Sequence, residues 1–233
     1  MNLDDILLNG VEITSSGTTG TPKKIFRTPQ NLSKCNEVAL EAQKITIKSK
    51  ILTVTRMTHA GGLLAQTLPA YSIGAEVNIK QFNPYTFLKD LSNHTHTFLA
   101  PGQMKALMQT KSFIDCDLKG KWILGGSDPV TWDMIEAFVL KGAIVQPNWG
   151  MSEIGPIAIN TIFDNIDKVN EVKKASPEDY FILGDTYWCD WKIDNFELVV
   201  KGDTCIQNDW LYTKDLVSLD MRKRMYYHKR IKT

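Results

Sequence analysis

Between residues 51 and 145 the chain alternates short apolar, β-branched runs with longer stretches whose apolar residues recur at helical spacing. Strands are predicted over 51–55, 75–79, 97–100, 122–124 and 143–145, and helices over 63–71, 83–91, the residues after Pro101, and 130–140. Strands separated by helix-length crossovers pair parallel, so the pattern predicts an α/β fold with a largely parallel sheet flanked by helices. Ligands of such sheets bind beyond the carboxyl ends of the strands. Three polar loops fall there: the segment around His59, the triplet Gly125-Gly126-Ser127, and Asn148 to Glu153.

Upstream, 11–14 and 25–27 read as a strand and its return, and Thr28-Pro29 as a helix start for a run to about Lys44. Residues 163–179 are mostly polar and read as a long connection. Apolar runs at 186–193, 196–201, 210–219 and 225–228 predict a β meander, a small antiparallel, barrel-like lobe. The expected division is therefore 1–162 and 163–233. At 233 residues and 43% hydrophobic, the chain can bury the core this requires. A net charge of +1 gives no pull toward nucleic acid or an anionic membrane. No apolar run approaches the roughly 20 residues of a membrane span. Cys35, Cys116, Cys189 and Cys205 lack CxxC spacing, and with no signal peptide they read as reduced thiols of a cytoplasmic protein.

The turn between the first two strands, Thr14 to Lys24, concentrates hydroxyls, glycines and cations. Gly17 and Gly20 can take positive φ, which lets successive N–H groups turn inward as an anion-binding nest. Ser16, Thr18 and Thr19 add hydroxyl donors, and Lys23 adds charge. Pro22 and Lys24 break the Walker A pattern, which sets a P-loop NTPase aside. The plain alternative is a flexible Ser/Thr/Gly linker, which the flanking apolar strands oppose.

The run SSGTTGTPKK resembles the phosphate loop of the acyl-adenylate-forming superfamily of acyl-CoA synthetases, peptide-synthetase adenylation domains and luciferases. That family joins a carboxylate to the α-phosphate of ATP, expels pyrophosphate, and usually passes the acyl group to a thiol. The family's loop ends Pro-Lys-Gly; here Lys24 stands in place of the glycine and Lys23 keeps the loop lysine. Asn148-Trp149-Gly150-Met151-Ser152-Glu153 resembles the second family signature, an aromatic-Gly-x-Thr-Glu loop. The resemblance implies that Trp149 stacks on adenine, Ser152 meets the α-phosphate and Glu153 holds Mg²⁺; a core tryptophan in a strand-to-helix turn is the alternative. Gly125, Gly126 and Ser127 resemble the segment where backbone approaches adenine and acyl group. Read without the family they make a simple turn. His59 and Gly61 fall where relatives meet the carboxylate, although a lone histidine is more often structural. Tyr212-Thr213-Lys214-Asp215 resembles the segment whose aspartate grips ribose, with Lys214 replacing a glycine. Arg230 corresponds to the family arginine at ribose and phosphate.

The resemblance implies a minimal AMP-forming ligase using ATP and Mg²⁺ on a small carboxylic acid, with CoA or a carrier thiol as acceptor. It covers only the middle of the family pattern. The family's N-terminal segment and its C-terminal domain with a lysine lie outside the resemblance, which leaves open a partner chain supplying the C-terminal domain or a minimal enzyme acting without it. The alternative is a nucleotide-binding module without turnover. The basic residues near Arg222 and Lys229 read as a solvated hairpin rather than a nucleic-acid patch. His94 and His96 are not read as a metal site.

Overall fold

The computed structural model describes residues 2–14, 23–177 and 180–231. Helix α1 (Leu3–Asn9) leads into strand β1 (Val11–Thr14), which pairs antiparallel with β2 (Lys24–Arg27). The predicted helix follows as α2 (Pro29–Ala42). Thr28 caps it by accepting from the Asn31 N–H, and Pro29 supplies a preset φ where no donor is needed. Then come β3 (Lys50–Thr53) and a continuous helical stretch over 60–72, made of α3 (Ala60–Gly62), a π-helical turn (Leu63–Thr67) and α4 (Leu68–Ser72). Pro69 has no N–H to offer Ala65 four residues back; the buried Gln43 side chain donates to that carbonyl instead, at 2.7 Å.

The alternation continues through β4 (Glu76–Ile79), α5 (Phe87–Leu91), β5 (His96–Leu99), α6 (Pro101–Met108), α7 (Lys111–Ile114), β6 (Trp122–Gly125), α8 (Trp132–Leu140) and β7 (Ile144–Met151). β3 to β7 pair parallel, as the crossovers require. β8 (Gly155–Asn160) and β10 (Thr186–Tyr187) extend this sheet antiparallel, in the order β10-β8-β7-β6-β5-β3-β4. A second, antiparallel sheet holds β9 (Phe181–Gly184), β11 (Asp190–Asp194), β12 (Glu197–Lys201), β13 (Leu211–Leu219) and β14 (Met225–Arg230), in the order β11-β12-β13-β14-β9. Among the described residues it stays open, with β11 and β9 at its edges.

Several local expectations need correction. Residues 163–179 are not all connection: helix α9 (Ile166–Ala175) starts at Asn165, whose side chain accepts from the Lys168 N–H, and buries Val169 and Val172. Its sparse apolar stripe hid it. The predicted strand 186–193 is two strands, with β10 in the large sheet and β11 in the small one. β7 runs six residues past its predicted end, and β8 was not foreseen.

The main core lies under the parallel strands and includes Leu52, Leu99, Ile123, Phe138 and Val145. Val169, Val172, Ile182 and Tyr226 join it, so segments beyond residue 162 help close the core of the α/β layer. A second core around Ile159, Leu198 and Val217 joins the edge of the large sheet to the small one.

Candidate active site

The Trp149 motif is the outer half of a β-hairpin. β7 and β8 pair with Asn148 opposite Asn160 and Trp149 opposite Ile159, and the strands turn at Ser152 to Ile154. A Cβ at Gly150 would sit 2.4 Å from the Gly155 carbonyl oxygen, so the two strands close only because residue 150 has no side chain. The hairpin tip is gripped from two sides. Arg27 donates to the Ser152 carbonyl at 2.7 Å, and the Ile206 N–H donates to the Glu153 carbonyl at 2.9 Å. Both grips act on main-chain oxygens, so neither consumes the Ser152 hydroxyl or the Glu153 carboxylate.

The Trp149 side chain is 7% exposed and lies in the core with Ile154, Leu198 and Val217. The ring expected to stack on adenine is thus packed against core side chains in this structure. The inward orientation follows from strand alternation: Trp149 is buried and Gly150 beside it is exposed. The indole Nε1 donates to Asp215 Oδ2 at 2.9 Å. Arg230 stands opposite Asp215 in the β13–β14 register and places its Nε 3.5 Å from Oδ1. One Arg230 Nη donates to the Thr213 carbonyl at 3.0 Å and lies 3.8 Å from the Met151 sulfur. Residues 149, 215 and 230 therefore meet beside the hairpin tip. Burial pushes the Asp215 carboxyl above its ordinary value, against the opposing pull of the Trp149 N–H and the Arg230 charge. Lys214, in the place of a family glycine, takes the glycine-like φ of 63°.

The remaining motifs join this cluster in sequence. The Asn148 amide donates to the Gly125 carbonyl at 2.6 Å and accepts from the Ile157 N–H at 3.3 Å, which ties the end of β6 to the hairpin. A Cβ at Gly126 would lie 2.6 Å from Asn148 Nδ2, so this contact needs glycine. Ser127 turns with φ 74°. A Cβ at Gly61 would fall 3.1 Å from Ser127 Oγ and 2.8 Å from the Phe98 ring, which brings the His59 loop against residues 125–127. His59 Nδ1 lies 3.1 Å from the Thr14 carbonyl, and the Thr14 N–H donates to Thr58 at 3.1 Å. The strand entering the predicted phosphate loop is thus pinned to the His59 segment.

Ser16, Gly17, Thr18, Thr19 and Gly20 lie outside the described residues. Lys23 is described, exposed, directly before β2. Among the described residues no group of three or more His, Cys, Asp or Glu side chains could hold a metal on its own. The donor set suits a nucleotide nonetheless: a buried carboxylate that accepts hydroxyls, an arginine beside it, and a single acid, Glu153, of the kind Mg²⁺ uses when phosphate and water supply the rest. No described helix is long and apolar enough to cross a membrane. Two surface grooves, one beside α9 and one between α2 and the 201–208 turn, include none of the predicted site residues.

Sequence reasoning passed over Arg27, read only as the end of a return strand. It is fully buried, and burial lowers its pKa. Nothing in the run Ile25-Phe26-Arg27 signals this, because its backbone acceptors come from the distant residues 152 and 204.

Residues 12–186 match the family model described as AMP-binding enzyme. Among curated proteins, the chain is 26% identical over 170 residues to the acyl-CoA synthetase FUM10 of Gibberella moniliformis, which covers 71% of this chain and 30% of that protein. It is 28% identical over 148 residues to the indoleacetate–CoA ligase of Aromatoleum aromaticum, 62% of this chain and 29% of that protein. The chain thus spans about 30% of the length of these relatives. Among solved structures, o-succinylbenzoate CoA synthetase of Bacillus subtilis, in complex with its acyl-adenylate intermediate, superposes with a TM-score of 0.79 at 21% identity. That match covers 97% of this chain and 63% of that one. The N-terminal domain of FACL13 from Mycobacterium tuberculosis gives 0.77 at 17% identity, over 94% and 60% of the two chains. At these identities the structural likeness is one of fold.

Proposed function

The chain belongs to the AMP-binding enzyme family, and from that premise we propose that it binds ATP and a carboxylic acid and catalyses acyl-adenylate formation. One observation carries this reading: segments at 14, 59–61, 125–127, 148–153, 215 and 230, far apart in sequence, are joined pairwise by direct contacts, from the carboxyl ends of β3 and β6 through the β7–β8 hairpin to β13 and β14 of the small sheet. Loop residues 16–20 with Lys23 hold the outer phosphates, Ser152 meets the α-phosphate, and Asp215 with Arg230 holds ribose. Gly125, Gly126 and Asn148 border adenine, and His59 with Gly61 borders the carboxylate. Glu153 would hold Mg²⁺, which when bound neutralises phosphate charge. Trp149 acts through Asp215, fixing the carboxylate with its N–H.

In the reaction a carboxylate oxygen attacks the α-phosphorus, the bond to the β-phosphate oxygen breaks, and pyrophosphate leaves. The attacking acid is already ionised near neutral pH, so no general base is needed. The chain's contribution is alignment and charge neutralisation. Transfer to CoA or another thiol belongs to the same proposal.

Acid-dependent exchange of labelled pyrophosphate into ATP, run over a broad carboxylic acid panel, tests the reading. Exchange with one acid class supports it. Calorimetric AMP binding without exchange supports only a nucleotide-binding module, and absence of both overturns the reading.

A further inference from the structure

Arg27 is an arginine with no solvent exposure and, among the described residues, no hydrogen-bonded carboxylate. Burying an unpaired cation costs several kcal/mol unless neutral acceptors surround it, and a residue kept at that cost needs an account. Its acceptors come from three separate segments. One Nη donates to the Ser152 carbonyl at 2.7 Å; the other donates to the Thr204 carbonyl at 3.0 Å, contacts Cys35 Sγ at 3.2 Å, and bonds the Asn31 side chain. Nε has no partner. Asn31 in turn donates to the carbonyls of Asp203, Thr204 and Cys205, at 3.0 to 3.3 Å. Gly155, with φ 94°, lets the hairpin approach this cluster: a Cβ there would sit 3.1 Å from Cys35 Sγ.

The connectivity gives the cluster its meaning. β2 is the strand that leaves the phosphate-loop segment, with Lys23 just before it. The 152–153 tip carries Ser152 and Glu153. The 202–206 turn opens the 202–210 connection from β12 to β13, the strand bearing Asp215. One planar fork thus spans the segments assigned to phosphate, metal and ribose. A lysine at residue 27 would keep the charge but not the two-pronged geometry that reaches Ser152 and Thr204 together.

Resting on the nucleotide-site reading above, we propose that Arg27 is a positioning residue for adenylation. It acts through the Ser152 carbonyl and the 203–206 turn to hold the Ser152–Glu153 tip in register with β2, the strand that follows Lys23. It touches no reacting atom itself.

Arg27→Met removes the clamp and keeps apolar volume; Arg27→Lys is the conservative partner. Amide hydrogen exchange on ligand-free protein should show faster exchange, by about tenfold or more, over 150–156 and 202–208 in Arg27→Met, with β5 unchanged. AMP affinity by calorimetry should fall roughly tenfold in Arg27→Met and less in Arg27→Lys. Unchanged exchange at the tip overturns the clamp. A loosened tip with wild-type AMP affinity overturns the link to function and leaves Arg27 as structural glue. Should Arg27→Met fail to fold, Arg27→Lys carries both readouts; if neither folds, the residue serves stability alone and the proposal is wrong. A wild-type protein that binds no AMP instead removes the nucleotide reading, and this role with it.

Discussion

Lys214 and Asp215 show how adjacent residues in one motif divide between strain and chemistry. A lysine at φ 63° sits where its Cβ crowds the following carbonyl, a conformation that costs L-residues roughly 1–2 kcal/mol. Glycine pays less there but loses more chain entropy on folding, so Lys214→Gly is expected to stabilise the protein by a net ~0.5–1 kcal/mol in urea unfolding. Destabilisation would show that the Lys214 side chain contributes more than its backbone costs. Asp215 is 4% exposed, and its carboxyl titrates above the ordinary value because burial penalises the anion. The folded state then holds the proton at pH values where the unfolded chain has lost it, so this group's contribution to stability falls as pH rises through that window. Asp215→Asn is therefore expected to be at least as stable as wild type at pH 7, with the gap narrowing as pH drops through the raised titration. Arg230, a third of whose side chain is exposed, stays solvated in the variant. AMP affinity should fall by ~1.5–3 kcal/mol, the scale of hydrogen bonds to a charged group. Paired thermal melts across pH and calorimetry on both proteins check the two halves.

The β7–β8 hairpin is the element on which the site turns, and its tryptophan separates packing from positioning. Trp149→Ala should cost roughly 3–5 kcal/mol by opening a cavity in the core shared with Leu198 and Val217. Trp149→Phe keeps most of the apolar contact and removes only the N–H that reaches Asp215. It should cost ~1–3 kcal/mol while the carboxylate remains, and clearly less in an Asp215→Asn background, where the buried acceptor carries no charge. Additive losses in a double-mutant cycle by urea unfolding would show that the indole N–H and the carboxylate are not coupled. The motif's spacing was legible in sequence, but its extended conformation was not. Asn148 to Glu153 reads as a polar loop because Asn, Gly and Ser are turn residues. Pairing with the buried strand Gly155–Asn160 overrides that local preference, and only the pairing turns Trp149 inward.

Across the whole molecule, buried polar groups join the layers. Gln146 accepts from the Trp122 indole at 2.7 Å and donates to the Ala42 carbonyl and the Asn160 side chain. His96, stacked on Trp122, lies between the Gln43 carbonyl at 3.1 Å and the Thr95 hydroxyl at 2.8 Å. The carbonyl requires an N–H from Nε2, which in the neutral ring leaves Nδ1 an acceptor facing the Thr95 hydroxyl, whose single proton also lies within reach of the Lys50 carbonyl at 3.2 Å. Burial lowers the His96 pKa below its ordinary value. The unfolded chain takes up this proton first, so stability is fully present above about pH 6.5 and declines as pH falls from there toward the depressed value. His96→Gln should flatten that slope below about pH 6.5 in urea unfolding, and an unchanged slope would rule His96 out as its source. The sequence by itself determined the alternating α/β layer, the order of the motifs and the chemical type of each candidate group, because these rest on local periodicity and composition. Tertiary structure alone decided that Trp149 faces the core, that Asp215 is buried between it and Arg230, and that Arg27 spans residues 31, 152 and 204. The physical reason is that burial and hydrogen-bond partnership depend on residues the fold brings together, 66 positions apart for Trp149 and Asp215 and 125 for Arg27 and Ser152, which no local pattern encodes.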